Sequence, residues 1–168
     1  MGAVTPPRPL AEADDRSRFD CGRDALNVWF HRHAWNNHAA GTSRANVICS
    51  SETCEIAGYV TLCAAQIERE FLKSQHRRNA PDLMPVTLLG QLAIQKDFQG
   101  EGYAASLLQF ALRISRRASL DIGSFGVITH PLNDGVRAFY GHFGFEDVPF
   151  DPRRSMIVRM SELEKAGL

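Results

Sequence analysis

The chain has 168 residues, 44% hydrophobic and 23% charged, with 19 Lys and Arg against 19 Asp and Glu. That size and mix predict a single domain over residues 1–168 with a full hydrophobic core, and exclude a disordered or strongly basic chain. A nucleic-acid partner therefore has to be argued from local patches.

In chain order, the start "MGAVTPPRPLAEADDRSRF" has no apolar run behind a basic segment, so it reads as neither signal peptide nor membrane span and predicts a cytoplasmic protein. "DCGRDALNVWFHRHAWNNHAAG" spaces Leu26, Trp29, Phe30, His33 and Ala34 as an amphipathic helix that stops at Gly41. "RANVICS" and "CEIAGYVTLCAAQIE" read as a hairpin, with Gly58 a candidate bulge in the longer arm. A polar, basic connection, Glu70 to Asp82, leads to a strand from Val86 to Gln95. A helix from about Gly102 to Ser119 carries Ala104, Leu107, Leu108, Ala111, Ser115 and Ala118 on one face. A short strand in "SFGVITHP", a short helix in "NDGVRAFYGHF", and strands near Phe145–Val148 and Met156–Met160 complete the chain. The order strand, helix, three strands, helix, strand, helix, two strands predicts a mixed α/β sheet with helices on both faces.

Cys21, Cys49, Cys54 and Cys63 lack C-x-x-C spacing and read as free thiols in the core or at helix starts. His31, His33 and His38 with Cys49 and Cys54 have no zinc-type spacing, so no metal is expected.

The junction "LAIQKDFQGEGYAASLLQFAL" feeds a strand through two glycines into a helix. The first N–H groups of a helix lack intrahelical partners, and glycines let backbone approach an anion, so "QGEGYA" suits a pyrophosphate; a capped turn is the plainer alternative. Ala105 stands where the dinucleotide fingerprint needs its third glycine, and the Gly-Lys-Ser/Thr of a P-loop is absent.

Gln99-Gly100-Glu101-Gly102-Tyr103-Ala104 resembles the Q/R-x-x-G-x-G/A signature of the GNAT N-acetyltransferases, and "NDGVRAFYGHFGF" resembles that family's second cofactor segment. The resemblance covers nearly the whole chain and narrows, through "PVTLLGQLAIQKDFQGEGYAASLL" and "RAFYGHFGFEDVPFDPRRSMIVRM", to the acetyltransferase toxins of bacterial toxin-antitoxin pairs. It implies a GNAT fold whose sheet splays between the fourth and fifth strands, with acetyl-CoA as co-substrate in the gap. It further implies acetylation of the α-amino group of aminoacyl-tRNA, a homodimer, and a ribbon-helix-helix antitoxin through which operator DNA is bound. Acetylation of a small amine or protein N-terminus, and a non-catalytic cofactor-binding module, are the alternatives. Gln91 stands where that toxin group commonly has Arg, and Tyr103 replaces a smaller residue.

On this resemblance Leu92, Ala93 and Ile94 would pair with pantetheine, and Gln99, Gly100, Gly102, Tyr103 and Ala104 would cradle the pyrophosphate, the glycines serving close approach to the ligand more than the turn. Asn133 would bond the cofactor or cap its helix. Tyr140 is the catalytic candidate, because a phenol with a reference pKa of about 10 stays protonated at neutral pH and can supply a proton or hydrogen bond to a leaving thiolate; an ordinary place in the apolar stripe with Phe139 and Phe143 is the alternative. Glu68, Glu70 and His130 are candidates for positioning a water. Arg77 and Arg78 are the candidate tRNA contacts, ahead of the Arg113, Arg116, Arg117 face and the Arg153, Arg154 pair.

Overall fold

The computed structural model describes residues 3–168. Seven strands, β1 (Arg8–Pro9), β2 (Arg44–Cys49), β3 (Ile56–Glu68), β4 (Leu83–Ile94), β5 (Gly126–Thr129), β6 (Glu146–Asp147) and β7 (Met156–Arg159), form one sheet in the order β1-β2-β3-β4-β5-β7-β6. β4 and β5 are parallel, whereas β1/β2, β2/β3, β5/β7 and β6/β7 are antiparallel, so the sheet is mixed. The helices are α1 (Asp24–Arg32), α2 (Ala34–Ala40), α3 (Ser74–Arg77), α4 (Tyr103–Ala118), α5 (Asp134–His142) and α6 (Met160–Lys165). The chain divides into two compact units, Met1–Cys63 with Gly90–Ala111 and Ala64–Leu89 with Leu112–Leu168.

In the first unit the expected long helix is interrupted at His33, whose φ of −119° is well away from the usual helical value of about −63°, and Gly41 at φ 77° stops the second piece. Phe30 and Ala34 still face one core, as their spacing required. Tyr59 organises that core: its ring stacks on Phe30 at 4.2 Å and meets Phe19 edge-on at 5.3 Å. Such pairs contribute roughly 0.5–1.5 kcal/mol each beyond area burial. The buried Tyr59 hydroxyl donates to the Leu26 carbonyl at 2.8 Å, which meets its hydrogen-bonding requirement.

The hairpin is as its sequence reads. Its turn is closed by Ser50 N–H donating to Glu55 O, with Cys54 in a left-handed conformation. Ile48 pairs with Gly58 but Cys49 with Ile56, so Ala57 is the extra residue of a bulge beside the glycine. A Cβ on Gly58 would lie 2.7 Å from Ile94 Cδ1 and 3.1 Å from the Ala93 carbonyl, so only glycine lets β3 pass this close to the end of β4.

The second unit packs Ile67, Leu72, Met84, Val86, Ile128, Val148 and Ile157 into its own core. Leu72 explains why the stretch read as a polar connection is ordered: one buried leucine between a 3-10 turn (Arg69–Phe71) and α3 anchors it. Helix α6 has no readable sequence signal, because six residues with two buried positions, Met160 and Leu163, give too short a pattern. A Cβ on Gly126 would lie 2.5 Å from the Val158 carbonyl, so β5 and β7 also depend on a glycine for their spacing. Among the described residues all four cysteines are free; Cys21 and Cys49 are buried and Cys63 half-buried, but Cys54 is exposed on its turn rather than in the core. No helix of the described residues is long and apolar enough to cross a membrane, and no group of His, Cys, Asp or Glu among them is placed to hold a metal.

Candidate active site

Leu92, Ala93 and Ile94 form the last turnless stretch of β4, with Ala93 and Ile94 buried and Leu92 half-buried. A 3-10 turn (Lys96–Phe98) then leads to Gln99. The Gln99 side chain is spent on the fold: Nε2 donates to Cys21 O at 2.9 Å and to Ile94 O at 2.8 Å. It thereby fixes where the loop leaves the strand, and any contact with an anion falls to backbone N–H groups of the following residues. Gly100 and Gly102 have φ of 81° and 84°, the left-handed region where an L side chain is strained.

This corrects the expectation that the glycines serve close approach more than the turn. Both are demanded by the turn itself, and a Cβ on either would meet no protein atom within 4 Å. The two roles are compatible, because the direction in which each glycine lacks a Cβ is the open side of the loop at the start of the 16-residue α4. A loop of this shape opening a long helix fits a pyrophosphate by its chemistry: backbone N–H donors and the positive helix end. Tyr103 is half-buried at the first position of α4, its ring 6.3 Å from that of Phe98, and Ala104 follows it.

Gln91 has a definite role where the resemblance raised a departure. Its Oε1 accepts from Thr61 Oγ1 at 2.6 Å while its N–H donates to the same oxygen at 2.9 Å. Thr61 is buried, so an arginine here would leave that hydroxyl without its acceptor.

In the second unit, α5 carries Tyr140 at 5% exposure, packed edge-on to Phe139 at 5.3 Å and Phe145 at 5.1 Å. Burial pushes its phenol up to about 12, against the opposing effect of a hydrogen bond with the Thr129 side chain. The hydroxyl thus keeps its proton throughout the neutral range and is held at the end of β5. Asn133 caps α5: its Oδ1 accepts from Val136 N at 2.9 Å, so the side chain is already engaged in holding the start of the helix.

The pairing of β4 with β5 is recorded at Thr87/Val127 and Leu88/Ile128, although β4 runs on to Ile94. Where it stops, a cavity of about 330 Å³ is lined by Ile67, Phe71, Leu83, Leu88 and Ile128, and by the polar Glu68, His130, Asp151, Arg153 and Ser155. Successive residues of a strand end face opposite ways. Thr129 therefore meets Tyr140 while Ile128 and His130 line the cavity. Ser155 is fully buried, and its Oγ bonds both His130 Nδ1 at 2.8 Å and the Asp151 carboxylate.

Of the other candidates, Glu68 reaches this cavity but Glu70 does not line it. Arg77 lies over the ring of Phe150, 5.4 Å from its centroid, and Phe150 itself is 58% exposed. Arg77, Arg78, Arg153 and Arg154 take part in no ion pair among the described residues, whereas Lys73 is paired with Glu146 at 2.7 Å and Arg116 with Glu164 at 3.6 Å. Phe150, Asp151, Ser155 and Thr129 were not legible as site residues. The one available signal was Asp151-Pro152, a turn-forming pair whose carboxylate accepts from Arg153 N at 2.9 Å.

The cofactor candidates from Leu92 to Ala104 thus belong to the first unit, and Asn133, Tyr140, Arg77 and Arg78 to the second.

A tRNA-acetylating toxin of Mycobacterium tuberculosis (strain ATCC 25618 / H37Rv) is 34% identical over 158 residues, 94% of each chain. The solved structure of AtaT complexed with acetyl-methionyl-tRNAfMet superposes with a TM-score of 0.89 at 29% identity, covering 99% of this chain and 100% of AtaT. A tyrosine-to-phenylalanine mutant of AtaT, solved with the C-terminus of the antitoxin AtaR and acetyl-CoA, gives 0.82 at 28% identity, covering 98% of each chain. The model of the acetyltransferase (GNAT) family matches residues 5–145, and the chain belongs to that family.

Proposed function

We propose that this chain is a single-domain cytoplasmic toxin that acetylates the α-amino group of aminoacyl-tRNA from acetyl-CoA and is neutralised by a ribbon-helix-helix antitoxin. The observation that carries the reading is the buried Tyr140 hydroxyl, kept protonated and tethered to Thr129 beside the point where β4 and β5 stop pairing. The 34% identity to a tRNA-acetylating toxin over almost the whole chain supports the substrate, and the AtaT complexes support the cofactor and the antitoxin.

Acetyl-CoA, when bound, supplies an acetyl thioester. Leu92, Ala93 and Ile94 offer backbone groups along β4, and Gly100, Gly102, Tyr103 and Ala104 offer backbone N–H donors. Asn133 holds the start of α5 so that Tyr140, two turns on, keeps its place. Tyr140 donates its proton or a hydrogen bond to the departing sulfur, a role that a group with a pKa near 12 fills without ionising beforehand. Arg77 with Phe150, and Arg78 beside them, offer the charge and stacking surface that a tRNA end uses.

The test is incubation with labelled acetyl-CoA and charged tRNA. Label on the amino acid of the tRNA is expected. Label on polyamines or peptides alone would replace the substrate, and cofactor binding without transfer to any amine would leave only a binding module.

A further inference from the structure

We propose that His130 is a further catalytic residue: fixed in one tautomer by Ser155 and Asp151, it presents Nε2 to the cavity beside β5 and takes the proton that the substrate's α-ammonium must lose before attack. The proposal rests on the acetyl-transfer reading and names the acceptor of a proton for which the tyrosine has no use.

The tautomer follows from donor and acceptor bookkeeping. Asp151 Oδ1 accepts from Arg153 N at 2.9 Å and Oδ2 faces Ser155 Oγ. A carboxylate only accepts, so the Ser155 proton points at Asp151. Its oxygen can then only accept from His130, 2.8 Å away, which puts the imidazole proton on Nδ1 and a lone pair on Nε2. The order aspartate, serine, histidine also excludes the usual activated serine, because here the serine stands between its would-be base and the acid, and it is fully buried. The half-buried His130 lines the cavity of about 330 Å³, whose wall is shared between an apolar side (Ile67, Phe71, Leu83, Leu88, Ile128) and a polar one, a place where an amine can reach the imidazole while its apolar side chain meets the other wall.

Charged groups around the imidazole are Arg153 and Asp151 from the β6–β7 connection and Glu68 from the end of β3. Burial first, then Arg153, lower the His130 pKa from 6.5, with Asp151 opposing, so the ring is neutral at pH 7. The step balances as R–NH₃⁺ plus neutral imidazole giving R–NH₂ plus imidazolium, which returns the proton to water after turnover. Ser155 and Asp151 are positioning residues.

Two measurements test it on the full-length protein. Side-chain nitrogen NMR of His130 is expected to show the Nδ1–H tautomer. In D151N the amide oxygen stays on Arg153 N, its NH₂ faces Ser155, and the serine proton turns to His130, so the ring is expected to flip to Nε2–H. Wild-type Nε2–H, or no change in D151N while melting remains cooperative, overturns the proposal whatever the substrate. The second is the pH dependence of kcat with charged tRNA and with a panel of small amines. In His130→Gln the rate is expected to fall by about 10²-fold or more at pH 6.5. Above the reference α-amine value of about 8 the deficit should shrink severalfold, because the amine is already neutral. A deficit independent of pH overturns the His130 role while leaving the transfer reading intact; no transfer by wild type to any amine overturns the transfer reading, which the NMR result does not depend on.

Discussion

At the scale of single residues, the loop glycines and the tyrosine make opposite demands. Gly100 and Gly102 are needed for backbone conformation, so alanine at either is expected to cost about 1–2 kcal/mol by calorimetry. Because a Cβ there would touch no protein atom, loss of acetyl-CoA affinity beyond the strain would report contact with the cofactor. Tyr140→Phe retains the ring packing against Phe139 and Phe145 and loses the bond to Thr129, which predicts a stability loss of only about 1 kcal/mol. A melting midpoint lowered as far as by a core truncation would show that the hydroxyl is chiefly structural. The glycine spacing and the helical stripe were legible in the sequence because both are local patterns, while the roles proposed for them come from the family resemblance. The Gln99 amide bonds, the Gln91–Thr61 pair and the Ser155 network were not, since each joins residues made adjacent only by the sheet.

At the scale of elements, α5 shows how a local signal can have two readings until geometry decides. Asn133 reads equally as cap or ligand contact; its Oδ1 is engaged by Val136 N–H. Asn133→Ala is therefore expected to cost about 1 kcal/mol, and Asn133→Ser or Asn133→Asp to recover most of it, in thermal unfolding. If all three bind acetyl-CoA equally, Asn133 acts through the helix alone. The strands and long helix were legible from periodicity to within a few residues, and the parallel β4–β5 pair follows from the intervening α4. What periodicity could not supply were α3 and α6, each stabilised by one or two buried residues in a short run, and the interruption at His33, where the apolar spacing continues unbroken.

At the scale of the whole molecule, buried and bonded ionisable groups define a stability plateau. Hydrogen bonds to Arg8 lower the Asp14 pKa, and those from Gly22 N–H, Lys96 and Asn27 hold Asp20 at about 2. Burial lowers His38, His76 and His130. For both classes the folded pKa is depressed, so their contributions are present above the unfolded values, 6.5 for His and 3.8 for Asp, and are lost as pH falls through the folded values. Burial raises Cys21, Cys49, Cys63, Tyr59 and Tyr140, whose contributions are complete below the unfolded values of 9 and 10 and disappear as pH rises through the folded ones. A thermal-unfolding series is thus expected to be flat from about pH 6.5 to 9 and to fall on both sides. Tyr140→Phe should remove up to ~3 kcal/mol of the loss between pH 10 and 12, the energy of a two-unit shift. An alkaline limb unchanged by that substitution would contradict the burial argument.

The central claim, acetyl transfer to aminoacyl-tRNA through Tyr140, is tested most directly by single-turnover transfer of label from bound acetyl-CoA to charged tRNA, comparing wild type with Tyr140→Phe. The expected result is label on the amino acid with wild type and a rate lower by roughly 10²–10⁴-fold in the variant, at equal acetyl-CoA affinity. Undiminished transfer by Tyr140→Phe, or wild type that labels no charged tRNA, would contradict it.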